Sequence, residues 1–233
     1  MTAGLALATT VLAAGTAPPV TVRAEGATRT LLSTRTVAVP TRGSITKVGT
    51  PQGACLADSA AGALSAATHG HWNGTYYKGL GIEVTTILGR TLDPKRAYWE
   101  FFVNDRAASK GICETKLERG ESLLFAPVPS KGKAEAPIVV RAPKTVTAGK
   151  PFDVRAFVYT GKGNATKPLN RARAVWRWSA VKQGSGPKLT ESRTRRRDEM
   201  RFTFSGASSA HLTLVVSAKG EIRSAATAIK VVK

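Results

Sequence analysis

"YWEFFVNDRAASKGICETKLERGESLLFAPVP", residues 98–129, holds two apolar bursts around a polar, glycine-bearing middle. Trp99, Phe101 and Val103 alternate with Tyr98, Glu100 and Phe102. That period of two puts successive side chains on opposite faces of a strand. The run "ESLLFAPV" reads as a second strand. Cys113, one of two cysteines, sits between them. The stretch reads as part of a sheet rather than as the wall of a catalytic site.

Upstream, Val20, Val22 and Ala24 alternate with Thr21, Arg23 and Glu25, which predicts a half-buried strand with its charges outward. Leu31 to Val39 is a second β-rich run, and residues 41–54 are loop. In "CLADSAAGALSAATHG", apolar residues recur at helical spacing, with Asp58 or Ser59 as the N-cap, His69 in the last turn and Gly70 beyond it. Alanine favours this helix. "HWNGTYYKG" reads as an aromatic loop and "GIEVTTILG" as a strand with Ile82, Val84 and Leu88 on one face. The order β-β-α-β-β-β over residues 20–129 predicts one helix on a mixed sheet.

Residues 130–137, rich in Lys, Gly, Ala and Pro, read as a linker. Residues 138–233 read as all-β: about seven short strands separated by turns suggest an Ig-like sandwich. Trp176 and Trp178 share one face of their strand and are expected to fill its core. The predicted fold class is an α+β β-grasp-like domain over residues 18–129, followed by an all-β Ig-like sandwich over residues 138–233.

Residues 1–17 look like a secretory leader. The apolar run from Leu5 to Ala17 is shorter than the roughly 20 residues of a membrane span, and Gly15-Thr16-Ala17 supplies small residues for cleavage. No Lys or Arg precedes it, so an apolar N-terminal strand is the alternative. No later stretch is long enough to span a membrane. In an exported chain, Cys55 and Cys113 are expected to form a disulfide rather than a reactive thiol. The net charge is +20. Residues 1–134 carry 15 Lys/Arg against 9 Asp/Glu, and residues 135–233 carry 20 against 6. This asymmetry favours polyanions, and outside the cell those are anionic wall polymers, glycans or membrane surface rather than nucleic acid.

The helix after Cys55, "YWEFFVND", Gly111 with Cys113, and "LERGESLLF" together resemble the transcobalamin-like C-terminal domain family. The resemblance implies a small extracellular domain of β-grasp-like fold. In cobalamin carriers such a domain covers one face of the corrin while a large α-helical barrel holds the other. This chain has no room for that barrel. Asp105 stands where the family often has Gly, and Glu121 where Asp is common. The C-terminal half resembles bacterial Ig-like modules through "TVTAGKPFDVRAFVYTGKG" and "AKGEIRSAATAIKV", and departs from them in its basic segment 180–199.

Three sets of residues invite functional readings. His69, His71 and Asp58 fall short of the three or four ligands of known geometry that a metal needs, so no metal is expected. Trp72, Tyr76 and Tyr77 form an aromatic group that could stack a ligand, or could simply cover the helix. Arg193, Arg195, Arg196, Arg197 and Arg201 form a cluster suited to phosphates or carboxylates, or a solvated loop. No nucleophile elbow, zinc-protease motif, phosphate loop or cofactor fingerprint is present in the sequence. The expectation is therefore a secreted, non-catalytic ligand-binding or display protein of the cell envelope, with no cofactor. Its alternatives are a structural protein held to anionic polymers by its basic half, and cobalamin-type small-molecule binding. A hydrolase using carboxylates or Cys55 is the catalytic rival.

Overall fold

The structure is a computed structural model and describes residues 17–160, 165–169, 172–180, 188–192, 199–205 and 210–233. Its first part runs β1 (Pro19–Glu25), β2 (Thr30–Ala38), α1 (Ala60–Thr68), β3 (Trp72–Tyr77), β4 (Gly81–Ile87), β5 (Arg90–Thr91), β6 (Ala97–Val103), β7 (Arg106–Ala107) and β8 (Ser122–Pro129). The second runs β9 (Ile138–Arg141), β10 (Thr145–Thr147), β11 (Pro151–Tyr159), β12 (Thr166–Pro168), β13 (Arg173–Ala180), β14 (Lys188–Ser192), β15 (Glu199–Ser205), β16 (Ala210–Ser217) and β17 (Thr227–Val232).

The alternation in β1 and β6 does build strands, but both faces of these strands are covered. β1 lies between β2 and β8 in a five-stranded sheet of order β2-β1-β8-β6-β7. Its inner face, with Val20 and Val22, meets Leu64 of α1, Trp99 and Phe125 in one core. Phe102, Leu124, Ala126 and Val128 lie on the outer face, buried with Ile222 from the second unit. A separate three-stranded sheet, β3-β4-β5, adds Trp72, Ile82, Val84 and Ile87 to the inner core.

The helix is short and made of small residues, so it sits close to the sheet. Ala60, Ala61, Gly62, Ala63, Leu64 and Ala67 are all buried. The first N–H groups of a helix have no partner within it. Ser59 is the N-cap, but its side chain does not cap; its Oγ donates to the Leu56 carbonyl at 2.6 Å. Instead the Ala60 and Ala61 N–H groups donate to the carbonyls of Thr115 (2.8 Å) and Ile112 (3.2 Å). The expected disulfide between Cys55 and Cys113 is present, with its Cα atoms 4.7 Å apart, and it carries this carbonyl-bearing segment to the helix start. At the other end His69 takes a left-handed conformation (φ 53°), and the Gly70 N–H closes onto Ser65 O at 2.8 Å.

The second unit has two sheets, β10-β17-β16-β13 and β12-β11-β15-β14, with β9 paired to β11. Val154, Phe202 and Phe204 of one sheet share a core with Leu212, Leu214, Ile229 and Val231 of the other. The backbones of Trp176 and Trp178 pair with Leu214 and Leu212. The core role expected of these two side chains lies outside the described residues. Residues 130–137 are tied down at their end. Ile222 N–H donates to Ala136 O and Ile138 N–H to Ile222 O, both at 2.9 Å, and the Glu221 carboxylate takes the Ala136 N–H at 3.0 Å.

One expectation is corrected. The α+β β-grasp-like domain followed by an Ig-like sandwich does not describe this chain, whose described residues are mostly β, with a single nine-residue helix. The physical reason lies in residues 69–77. The left-handed His69 ends the helix at nine residues, and the segment read as an aromatic loop becomes β3, which opens a second sheet with β4. The all-β reading of the C-terminal part agrees with its two sheets.

Gly62 offers a check on the close approach of α1. A Cβ there would sit 1.7 Å from the Ala57 carbonyl oxygen. Helix propensity favours Gly→Ala by about 1 kcal/mol. We expect the opposite here, a loss of about 2 kcal/mol by urea unfolding, because overpacking against fixed backbone outweighs propensity. A Gly62→Ala variant of unchanged midpoint would show that the backbone at Ala57 gives way.

Candidate functional site

Arg23 and Glu25 sit two residues apart on the outer face of β1. Alternation predicts them in water, yet they are 6% and 4% exposed. What covers them comes from about 200 residues later. Arg223 of the second unit donates from Nη2 (2.8 Å) and Nε (3.3 Å) to Glu25 Oε2. Arg23 Nη1 donates to Glu25 Oε1 at 3.1 Å and to the Arg223 carbonyl at 3.2 Å. Thr30 Oγ1 donates to the same carboxylate at 3.0 Å. Arg223 also holds the β1–β2 turn, through the Thr28 carbonyl at 2.6 Å and the Gly26 carbonyl at 3.2 Å.

Arg23 Nη2 is closed off from solvent and has no hydrogen bond. Its other anionic neighbour is Asp105, 3.8 Å away. Burial pulls the Arg23 pKa down, against the raising influence of Glu25 and Asp105. Burial likewise pushes the Asp105 carboxyl up, against the pull of Arg23 and Arg106. Asp105 occupies the β6–β7 hairpin, where Asn104 (φ 51°) and Asp105 (φ 61°) both take the left-handed conformation of a type I′ turn. Glycine is the easier residue there, but only a carboxylate brings countercharge to Arg23. The neighbouring Arg106 guanidinium lies 4.0 Å over the Tyr159 ring of the second unit.

Beside this cluster a cleft of about 730 Å³ opens between the β1–β2 hairpin and the outer face of β16. Arg23, Glu25 and Arg223 reach its wall, and Arg29 joins them from the hairpin. The pairing of β1 with β2 skips at this place: Val22 faces Arg35 and Ala24 faces Leu32, so Ser33 and Thr34 both stand opposite Arg23. Such a bulge re-aims side chains, and both residues line the cleft. Thr213 and Ser217 of β16 face them from across it. Three arginines against Glu25 and the adjacent Asp105 leave this wall with one net positive charge, with hydroxyls around it. It can hold a polar, anionic group. Glu25 accepts hydrogen bonds from three side chains, so it is an anchored acceptor rather than a free base.

The sequence-predicted residues are not brought together here. Trp72 is a core residue, 2% exposed, with its Nε1–H donating to Ser65 Oγ at 2.7 Å and Lys47 Nζ 4.6 Å over its ring. Tyr76 packs half-buried on the same core, and Tyr77 is exposed. Arg201 forms a two-pronged pair with Asp153 at 2.7 and 2.9 Å. Arg193, Arg195, Arg196 and Arg197 lie outside the described residues, as do residues 1–16 of the expected leader. Asp58 pairs with Lys116, and His69 Nε2 lies 3.3 Å from Arg35 Nη1. Among the described residues no group of three or more His, Cys, Asp or Glu is placed to hold a metal. Among them, too, no helix is long and apolar enough to cross a membrane. Sequence reasoning missed Arg23, Glu25, Arg29 and Arg223, because the partners of the buried pair are remote in the chain.

No protein-family model matches the sequence, and no curated protein does. Among solved structures, a crystal structure of a candidate metal-binding protein from Ruminococcus gnavus is similar at 12% identity, covering 49% of this chain and 99% of that one. Its TM-score is 0.36, a level from which nothing about fold or function follows.

Two outcomes follow from these charges. Glu25→Gln keeps the shape but leaves Arg23 and Arg223 without their shared carboxylate. Breaking a buried pair in this way costs about 3–5 kcal/mol, which chemical denaturation will register as a large drop in midpoint. Glu100, on the outer face of β6, is pushed above its ordinary value by burial, against hydrogen bonds from Phe101 N–H and Tyr98. The folded chain therefore holds that proton more tightly than the unfolded one, and stability falls as pH rises from the ordinary Glu range through the raised value. Glu100→Gln is expected to raise the urea midpoint at pH 7 and to lose that gain near pH 4; an equal gain at both pH values contradicts it.

Proposed function

We propose that this protein is a non-catalytic binding protein of the cell envelope that holds a polar ligand in the cleft between its two β units. The cleft carries the reading. Its volume falls within the roughly 300–1,000 Å³ of small-ligand sites, and it lies where two separately cored units meet. Its walls are held in register by Arg223 on Glu25 and by Ile222 in the apolar seam. Glu25 is locked as an acceptor, which supports holding over converting. The extracytoplasmic placement is supported by the Cys55–Cys113 disulfide, which persists in oxidising compartments, and by the leader-like residues 1–17.

A second reading rests on charge alone. Residues 135–233 carry 20 Lys/Arg against 6 Asp/Glu, which suits a structural protein held to anionic wall polymers. Thermal-shift measurements against neutral glycans, sugar acids, cobalamin and anionic polymers, at low and high salt, separate the two. Stabilisation that survives high salt and is lost in a cleft-filling Thr213→Trp variant is the expected result. Stabilisation by polymers only at low salt, and indifferent to that variant, favours the structural reading instead.

A further inference from the structure

We infer that the cleft takes an oxyanion carried on a hydroxyl-bearing scaffold, a phosphate or carboxylate of a polyol or sugar acid, seated on Arg29 above the buried Arg23. This rests on the cleft-binding reading and names its ligand class. Arg29 is exposed on the β1–β2 hairpin, and among the described residues its guanidinium has neither ion pair nor hydrogen bond. Its backbone is nonetheless fixed. The Gly26 N–H donates to Arg29 O at 2.7 Å, and Arg223 clamps the Gly26 and Thr28 carbonyls on either side of the turn. The rigid turn fixes where Arg29 is presented, and its planar fork loses less freedom per hydrogen bond than a lysine ammonium when it binds an anion bidentately.

Arg23 is the second, independent observation. It is more than nine-tenths buried, lines the cleft, and keeps one Nη without a hydrogen bond. The Glu25 carboxylate is shared between Arg23 and Arg223, and Asp105 stands too far from Nη2 for a hydrogen bond. Glu25 and Asp105 together balance the charges of Arg23 and Arg223, so the net positive charge of the cleft wall is that of Arg29, with the Arg23 Nη2 left without a hydrogen bond beneath it. Such a wall focuses its field into the opening. Arg29 would make the direct contact, with the Arg23 guanidinium buried beneath it.

The hydroxyls define the rest of the ligand. Ser33 and Thr34, re-aimed by the bulge, face Thr213 and Ser217 of β16. None of these four hydroxyls is bonded to another described residue. They offer donors and acceptors on both sides of the charge, which suits a sugar acid or polyol phosphate better than a bare ion.

The test is an NMR titration of the ¹⁵N-labelled protein at constant ionic strength. The probes are inorganic phosphate, glycerol 3-phosphate and glucuronate, with glycerol and glucose as uncharged arms. We expect saturable shifts at Arg29, Ser33 and Thr34 with the charged probes, tighter for the two organic anions than for phosphate. Arg29→Gln is expected to weaken them at least fivefold. Because Arg23→Gln breaks a buried ion pair and so threatens the fold, Arg29→Gln, on an exposed turn, is the deciding variant. Binding of either organic anion supports the inference, and the tighter one names the headgroup. Non-saturating shifts, or equal affinity in Arg29→Gln, overturn it. If glucose or glycerol saturates the site and Thr213→Trp abolishes this while no anion binds, the cleft reading stands and the oxyanion inference falls. If nothing binds in the cleft, both fall.

Discussion

The Glu25 carboxylate is the joint on which the arrangement of this protein depends. It is 4% exposed and accepts from Arg23 on its own strand, Thr30 on the neighbouring strand and Arg223 in the second unit. An ionised carboxylate out of water is tolerated only when its lone pairs are filled by good donors. Here they are filled from both units at once. The joint therefore specifies how the units meet more than it adds net stability, since desolvating three charges offsets much of the attraction between them. The hydrophobic part of the same contact, Ile222 against Phe102, Leu124, Ala126 and Val128, provides the non-directional share.

The first unit solves a related problem at its helix. α1 has nine residues and buries almost all of them, too few for a helix to be stable alone in water. Its first two N–H groups, which lack partners within the helix, are satisfied by carbonyls of residues 112 and 115, and the disulfide keeps that segment in place. Closing a loop of 58 positions also removes freedom from the unfolded chain, worth roughly 4 kcal/mol in the chain-entropy account. One covalent bond thus serves the stability of the unit and the local chemistry of the helix end.

The cleft follows from the joint rather than from any local motif. Arg223 fixes the β1–β2 turn while pairing with Glu25, so the hairpin bearing Arg29, Ser33 and Thr34 is set at a defined distance from β16. The bulge in β2 turns two consecutive hydroxyls to the same side, which a regular strand cannot do. Asp105, accepted in a left-handed turn position that glycine fills more easily, supplies part of the countercharge to Arg23.

Much of the local structure was legible in the amino-acid sequence. Alternation located β1, β4 and β6, β-rich apolar runs located β2 and β8, alanine periodicity located α1, and the two cysteines announced their bond, because these signals depend on neighbours in the chain. The aromatic segment 72–77 was misread as a loop, since Asn73-Gly74 looks like a turn but continues β3, opposite a bulge at Thr85 of β4. That error hid the second sheet and led to the wrong class. The alternation of β1 also implied that Arg23 and Glu25 faced water. Only tertiary structure decided otherwise, because their burial depends on a residue 198 positions away and on no feature of the strand itself. Periodicity reports which residues share a face; what covers that face, and hence whether its charges form a surface or a site, is set by contacts between units that no local pattern encodes.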